Sequence, residues 1–346
     1  MMRSIVFRSK TGRLSFHAKS GTLLLIVLLL LLTAAVMLIG AGLGNKLISP
    51  LDVFKTAAGY GTAEQWLIVG VLRLPRIIVA ALVGAAMGVS GAILQGTIRN
   101  PLASPDIMGI TGGAACAAVA FIAYFSGKVS ITWLPVAAFI GAGAIAVLIY
   151  ALAWRQGVTP IRLVLVGIGI SAITSAATTF MIMLSPIKAA GQAYIWLTGS
   201  VYGASWAQVL ALLPWVAICI PLAFVCARNV SVQELGDDVA QGLGAAVQRQ
   251  RCLLLILSVA LAGSAVAVAG AIGFIGLIAP HMARKLAGAS FAAVIPVVAL
   301  LGSLLAVAAD TVARTLFLPH DIPAGVFTAG IGAPFFIYLL YKNRNR

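Results

Sequence analysis

Charged side chains are scarce in this 346-residue sequence, where Asp, Glu, Lys and Arg together make up 9% of the residues. Acidic residues are the scarcest, with eight against 23 Lys and Arg, which gives a formal net charge of +15. Soluble domains carry about 25% charged residues. Here 62% of the residues are hydrophobic and the mean hydropathy is +1.09. The composition excludes an ordinary soluble domain and indicates a chain for which lipid is the solvent.

Groups that carry enzyme chemistry are also rare. The four cysteines and three histidines form no close C-x-x-C pair and no H-E-x-x-H motif. The sequence also lacks a nucleophile elbow, paired carboxylates and a Walker A lysine. It therefore predicts no metal centre, no cofactor and no catalytic residue. His281 has no second ligand at metal-binding spacing, so a capping or hydrogen-bonding role is expected. The cysteines are predicted to be small hydrophobic residues: Cys116, Cys219, Cys226 and Cys252.

Apolar runs long enough to cross roughly 30 Å of hydrocarbon recur from Thr22 to Tyr341. Lys and Arg stand singly between these runs, which argues against a nucleic-acid partner and indicates that they set membrane topology. The pattern predicts an all-α polytopic membrane protein with about ten transmembrane helices. The predicted crossings are centred near Leu32, Ala86, Ala115, Gly143, Ile173, Ala217, Leu261, Leu277, Leu304 and Phe335.

The first crossing follows a basic tail, residues 1–22, that superficially resembles a signal peptide. The apolar run behind it has about 20 residues, longer than a signal-peptide core, so it is interpreted as a true span. Residues 23–346 are predicted to form a single transmembrane domain. With the N-terminus inside, the inner segments hold sixteen basic residues and the outer segments seven. This bias predicts a multi-pass protein of the cytoplasmic membrane with both termini cytoplasmic.

Two features suggest internal symmetry and irregularity. Val79–Ile93 and Ser258–Ile272 match at eight of fifteen positions, and the predicted topology runs them in opposite directions. Inverted repeats of this kind build many transporters, although apolar sequence of low complexity also matches by chance. The eighth crossing must share the stretch from Arg251 to Arg284 with the seventh. It is therefore expected to be short, and tilted, broken or partly re-entrant.

The most specific segment begins with Arg73–Arg76 and ends at Asp106. Within it, Gly84, Gly88 and Gly91 give one helix a small-residue face, which lets helices approach closely in lipid. Ser104, Pro105 and Asp106 suit the cap, the first position and the dipole of a helix start. A structural role is expected for Asp106.

A polar stretch, Ser231–Gly244, lies on the predicted cytoplasmic side. Ser231 and Glu234 have capping-box spacing, which predicts a short exposed helix suited to a groove on a cytosolic partner. A plain solvated loop is the alternative. Two further segments, Gly273–Arg284 and Ala309–Phe336, mix Gly, Pro and isolated charges at membrane depth. Within the second, Asp310 and Arg314 are spaced to form an ion pair along one helix.

These segments, in this order, resemble the FecCD family of binding-protein-dependent ABC importers, over nearly the whole chain after Thr22. The matching runs are Arg-Leu-Pro-Arg at 73–76, Arg-Asn-Pro-Leu-Ala-Ser-Pro-Asp at 99–106, the Leu-Gly spacing at 235–244, Gly-Phe-Ile-Gly-Leu-Ile-Ala-Pro-His-Met-Ala-Arg at 273–284 and Ile-Gly-Ala-Pro-Phe-Phe at 331–336.

The resemblance implies a type II ABC importer permease fold of ten helices. It also implies a second permease subunit, identical or paralogous, two cytosolic ATP-binding subunits and an extracytoplasmic substrate-binding protein. Ferric siderophore is the expected cargo, with cobalamin or haem as the alternative. ATP hydrolysis is expected on the separate cytosolic subunits, so this chain would not be an enzyme.

Site residues are carried over from the family by position. Arg73, Arg76 and Arg314 match outward arginines that receive acidic residues of the binding protein, with topological anchoring as the alternative. Residues 229–250 match the segment that couples to the ATPase, with contacts expected at Leu235, Gly236, Ala240, Leu243 and Gly244. Asn100 and Leu102 match a loop of the cytoplasmic gate. The opposing loop, Gly157–Ile161, departs from some relatives by its proline, so that half of the gate stays unassigned.

A proton- or sodium-driven carrier is the strongest rival from another class. Such carriers usually place ionisable groups inside the membrane. The acidic residues here are predicted to lie in loops or near span ends, and Asp310 is the one closest to the membrane interior.

Overall fold

The protein was examined as a computed structural model that describes residues 4–8, 15–125, 127–317 and 320–343. Two short antiparallel strands, β1 (Ser4–Arg8) and β2 (Ser15–Lys19), precede the helices. The helices are α1 (Ser20–Gly42), α2 (Pro50–Ala57), α3 (Ala63–Gln65), α4 (Leu74–Ile98), α5 (Ile110–Phe125), α6 (Leu134–Ala153), α7 (Pro160–Leu184), α8 (Ile187–Thr198), α9 (Trp206–Val225), α10 (Ala227–Glu234), α11 (Asp237–Gly242), α12 (Val247–Ala269), α13 (Ile275–Ala287), α14 (Phe291–Thr315) and α15 (Ala324–Asn343).

Seven helical spans among the described residues are long and apolar enough to cross a membrane. One of them is continuous from Ala63 to Ile98, because α3 runs through a π-helical segment, Trp66–Arg73, into α4. Two shorter apolar helices, α5 and α15, and the 13-residue α13 contain the remaining predicted centres. All ten predicted centres lie within helices, which confirms the all-α polytopic prediction. The eighth crossing is the short one, since the 13 residues of α13 rise only about 20 Å.

Helix α4 is the centre of the bundle. Every residue from Val83 to Ile98 is buried, and α14, α12, α13 and α9 pack around it. The predicted small-residue face makes this possible. A Cβ on Gly84 would lie 2.1 Å from the carbonyl oxygen of Gly302 in α14, and one on Gly91 would lie 1.8 Å from that of Gly276 in α13. Such helix approaches depend on small residues because lipid removes the hydrophobic driving force between helices.

The two segments of the suggested repeat meet in the core. Ser90 of α4 and Ser258 of α12 face each other with their hydroxyl oxygens 2.7 Å apart, and each hydroxyl also donates to the other residue's carbonyl oxygen. The C-terminal end of α4 and the N-terminal end of α12 lie at the same end of the bundle, because Arg99 and Arg251 both bind Asp237. The helices are therefore antiparallel, as the predicted topology requires.

The expected helix start at Ser104–Asp106 is wrong. These residues form turns, and α5 begins only at Ile110. The Ser104 hydroxyl accepts from the backbone N–H of Ile107 at 3.4 Å, while the Asp106 side chain hydrogen-bonds with the Thr111 hydroxyl and the Phe274 backbone. Asp106 thus connects this turn to the loop before α13. This role is structural, as expected, but it does not involve the start of a helix.

Candidate functional site

Polar and charged side chains gather at the two opposite ends of the bundle. One end holds the arginine cluster, defined here as Arg73, Arg76 and Arg314 with Asp310 and Asp321. The other holds the coupling segment, residues 229–250. Helix α4 connects the two ends, and its 25 residues rise about 37 Å. The arginine cluster and the coupling segment therefore lie at opposite ends of helices whose central residues are buried in the core.

Arg76 is the centre of the arginine cluster. Its guanidinium donates to Asp310 through Nε and Nη2, at 3.0 and 2.8 Å, and to Asp321 through Nη2 at 2.8 Å. The ring of Tyr202 covers it, with the guanidinium carbon 5.7 Å from the ring centroid. Asp310 comes from α14 and Asp321 from the segment before α15. Arg76 therefore connects α4 to α14 and to the segment before α15, both of which lie more than 200 residues later in the sequence.

Arg73 and Arg314 hold the end of α1. Arg73 donates to the carbonyl oxygens of Ala41 at 2.8 Å and Lys46 at 2.7 Å, and Arg314 donates to those of Gly40 and Leu43. The last carbonyls of a helix have no partner within the helix. Basic side chains that bind them also oppose the negative end of the helix dipole. Both arginines therefore fix where α1 ends.

These contacts correct the sequence interpretation in two ways. Arg73 and Arg76 lie inside a continuous helical span, not in an outer loop, and each of the three arginines is only 8% exposed. Asp310 is 1% exposed, and its hydrogen bonds come from Arg76. The ion pair expected between Asp310 and Arg314 along α14 also forms, with 3.8 Å between the Arg314 Nε and the Asp310 carboxylate. No sequence signal identified Asp321 as a partner, because it is 245 residues from Arg76.

The coupling segment is a pair of short helices, α10 and α11, separated by Gly236. Gly236 has φ +111°, in the region that favours glycine. Ion pairs hold the segment to the bundle. Asp237 binds the fully buried Arg251 at 2.7 Å and Arg99 at 3.2 Å, and Glu234 binds Arg284 at 2.8 Å. The segment is thus a positioned surface element, which argues against the alternative of a plain solvated loop.

An apolar stripe faces outward from this segment. Leu235, Val239 and Leu243 are 60%, 51% and 66% exposed, at spacings of four residues. Gly244 is also exposed, with φ +79° and open space beyond its Cα. Ala240 differs from expectation, since it is fully buried against the bundle and cannot contact a partner. Val239 was missed by sequence reasoning, although its spacing from Leu235 and Leu243 is a signal that could have found it.

The expected gate residues form a tight turn beside the coupling segment. The Asn100 side-chain oxygen accepts from the backbone N–H of Leu102 at 2.9 Å, and Arg99 ends α4 with a left-handed φ of 57°. The opposing loop is fastened to α12, because Val158 exchanges hydrogen bonds with Gln248 and accepts one from Arg251. Both loops therefore lie at the coupling end.

His281 packs against Phe335, with the ring centroids 5.7 Å apart in an edge-on arrangement. Its Nε2 has no hydrogen-bond partner among the described residues. The same residues contain no group of three or more His, Cys, Asp or Glu arranged for a metal ion. The arrangement therefore consists of two ends, each held by ion pairs, joined by a tightly packed core of helices.

Comparison with known proteins agrees with this architecture. The family model described as the FecCD transport family matches residues 27–342. The chain is 52% identical over 316 residues to YfhA, a probable siderophore transport system permease protein of Bacillus subtilis (strain 168), covering 90% of this chain and 92% of that one. It is 50% identical over 311 residues to CbrC, an achromobactin transport system permease protein of Dickeya dadantii (strain 3937), covering 90% and 89%.

A solved structure described as an inward-facing conformation of a metal-chelate type ABC transporter superposes with a TM-score of 0.82 at 30% identity, covering 92% of this chain and 98% of that one. The permease fold expected from the sequence is therefore confirmed. Since the family model spans nearly all of the described helices and two relatives are at least 50% identical to this chain over 90% of its length, this chain belongs to the FecCD transport family.

Proposed function

We propose that this protein is the permease subunit of an ATP-driven importer that moves a ferric siderophore across the cytoplasmic membrane. The cargo is supported by relatives named for siderophores, including YfhA and CbrC, and by FepG of Escherichia coli (strain K12), a ferric enterobactin transport system permease protein that is 36% identical. The absence of catalytic motifs from the sequence fits a chain that provides a path while another subunit hydrolyses ATP.

The observation that carries the ATPase assignment is the exposed stripe of Leu235, Val239 and Leu243. Val239 lies on α11, and Leu235 and Leu243 flank that helix beside the ion pairs that hold the segment. These three exposed apolar side chains form a surface suited to a groove on a partner. Two copies of the permease would present two such elements to two cytosolic ATP-binding subunits. The assignment places the coupling end, and with it both termini of the chain, in the cytoplasm, in agreement with the bias of the basic residues.

The arginine cluster then faces the extracytoplasmic side, where the substrate-binding protein would dock. Arg73, Arg76 and Arg314 already have internal acceptors, so an incoming carboxylate must compete with them. Asp321 is the most accessible of these acceptors, since its side chain is 25% exposed against 1% for Asp310. Docking at Arg76 would therefore proceed by displacing Asp321. Asn100 and Leu102 would line the cytoplasmic gate of a path formed with the second permease subunit.

The test is uptake of radiolabelled iron, presented as several ferric siderophores, in cells with and without this gene, with labelled cobalamin and haem in parallel. We expect selective loss of one ferric chelate. Loss of cobalamin or haem uptake alone would assign the alternative cargo to the same importer. Uptake that continues after ATP is depleted, but stops when the ion gradient is collapsed, would instead favour an ion-coupled carrier.

A further inference from the structure

An apolar groove of about 460 Å³ opens between α6 and α12 on the outside of the bundle. Its walls include Gly143 and Val147 of α6 and Ile256 and Val259 of α12. Val147 and Ile256 are 70% and 58% exposed, and a Cβ on Gly143 would meet open space. The groove is thus an apolar surface feature between two helices that are long and apolar enough to cross a membrane.

The dimensions of the groove fit one leaflet of a bilayer. Its lining extends over residues 139–151 of α6, a rise of about 18 Å, and over residues 252–260 of α12, a rise of about 12 Å. Half of a 30 Å hydrocarbon core is about 15 Å. Most of each stretch belongs to the half of its helix nearest the coupling end, because α6 ends and α12 begins there. The length of the groove is therefore close to that of one leaflet, and most of it lies toward the coupling end.

Two arginines lie beyond the lining of the groove, at the coupling end of its two helices. Arg249 is seven residues before Ile256, hence on the same face of α12, and Arg155 is two residues after Ala153, the last residue of α6. Both are exposed, and neither side chain has a hydrogen-bond or ion-pair partner among the described residues. Trp154, 53% exposed beside Tyr150, lies at the level where aromatic side chains meet lipid headgroups.

We propose that this groove binds an anionic phospholipid, with one acyl chain between α6 and α12 and the headgroup phosphate between Arg155 and Arg249. Apolar walls of one-leaflet length select an acyl chain, and the two unpartnered cations at its end select a negative headgroup. The lipid would cover the seam between α6 and α12 beside the loop at Val158, which Arg251 and Gln248 hold. This inference requires only a membrane protein and does not depend on the cargo.

The test is native mass spectrometry of the full chain in detergent, titrated with phosphatidylglycerol or phosphatidylcholine of identical acyl chains. The wild type should prefer phosphatidylglycerol. Each lost arginine should lower that affinity about fivefold, so Arg155→Gln with Arg249→Gln should lower it about 25-fold. Phosphatidylcholine binding should fall less, because its choline cation already offsets the phosphate charge, so the preference for phosphatidylglycerol should be lost. A matched control, Arg228→Gln with Lys285→Gln, removes two other exposed charges near the same end and should have no effect.

A second variant tests the groove itself. Gly143→Leu should fill the space and reduce binding of both lipids, because it removes the acyl-chain site. The proposal is overturned if the Arg155/Arg249 double variant keeps the preference for phosphatidylglycerol, or if the control pair loses it equally. It is also overturned if Gly143→Leu converts a complex of two chains into monomers, since a second copy would then cover the groove.

Discussion

At the scale of single residues, the charges of this protein act in pairs between helices. Arg76 is bound by two carboxylates from distant segments, and Arg251 is completely buried with Asp237 as its counter-charge. A buried charge without a partner is very costly, so these pairs must form together. Asp310 is the acidic residue predicted to lie closest to the membrane interior. Its pairing with Arg76 explains its presence there, so no role in ion coupling is needed to account for it.

Asp310→Asn tests this explanation. The substitution removes the charge and keeps the shape, so we expect the free energy of unfolding to fall by about 3 kcal/mol, the lower part of the range for a broken buried pair, because Asp321 still compensates Arg76. The measurement is thermal or denaturant unfolding in detergent. Asp238→Asn, at an exposed carboxylate of α11, is the control and should change little. Unchanged stability with complete loss of transport, in an assembled and ATPase-coupled complex, would support the ion-coupled rival.

At the scale of elements, α4 and the coupling segment have opposite surroundings. Helix α4 is closely packed in the core, whereas the coupling segment lies at the surface. Gly84 and Gly91 of α4 lie where neighbouring backbones leave no room for a Cβ. Gly236 and Gly244 of the coupling segment have positive φ, and a Cβ on either would meet no atom closer than 3.4 Å. Glycine therefore has two roles in this protein. In the core it allows helices to approach closely, and at the surface it allows the backbone to adopt a positive φ.

Gly91→Ala should destabilise the protein. Its Cβ would lie 1.8 Å from the Gly276 carbonyl oxygen, so α4 and α13 must separate, and overpacking of this kind costs about 1–3 kcal/mol. Gly191→Ala is the matched control in α8, where nothing lies within 4 Å and alanine favours the helix. The measurement is the unfolding midpoint of each variant. Equal midpoints would show that the bundle relaxes freely around Gly91.

Leu243→Glu should uncouple ATP hydrolysis from uptake while leaving the chain folded, because it places a charge in the apolar stripe and disturbs no internal contact. Gly244→Arg should have the same effect through bulk and a strained φ of +79°. Gln241→Glu, exposed on the other side of α11, is the control. The measurement is ATPase activity and uptake in reconstituted vesicles. If both test variants couple ATP hydrolysis to uptake as the wild type does, the stripe does not contact the ATPase.

At the scale of the whole molecule, the functional features separate to opposite ends. The arginine cluster and the coupling segment are joined by α4, α12 and α14, which pack tightly along their lengths. A bundle built this way transmits displacement as rigid helices and has little freedom to deform locally. The proposed coupling between the two ends would therefore require movement of whole helices.

The orientation of the bundle can be measured directly. In a variant whose four cysteines are replaced by alanine, Tyr60→Cys should react with a membrane-impermeant maleimide in intact spheroplasts, since Tyr60 is 83% exposed at the end that holds the arginine cluster. Asp238→Cys should react only after the membrane is opened. Lys128→Cys provides a second outer position. The reverse labelling pattern would invert the proposed topology and move the coupling segment away from the cytoplasm.

The sequence by itself determined the class of protein, the positions of ten helices and the family. Hydropathy acts over about 20 neighbouring residues, so every predicted crossing centre falls in a helix, and the glycine face of α4 was visible from residue size. Motifs at fixed spacing also predicted a coupling role for residues 229–250, which stays a prediction. The short eighth crossing followed from the length available between Arg251 and Arg284.

Only the tertiary structure decided which charges meet and which faces are covered. The partners of Arg76 lie 234 and 245 residues away, the acceptors of Arg73 and Arg314 are backbone carbonyls at the end of α1, and Ala240 turns inward although its neighbours turn out. None of these has a local pattern, because a contact between helix ends depends on how whole helices pack. For that reason, only the tertiary structure revealed that the arginines predicted for docking hold one end of the bundle together.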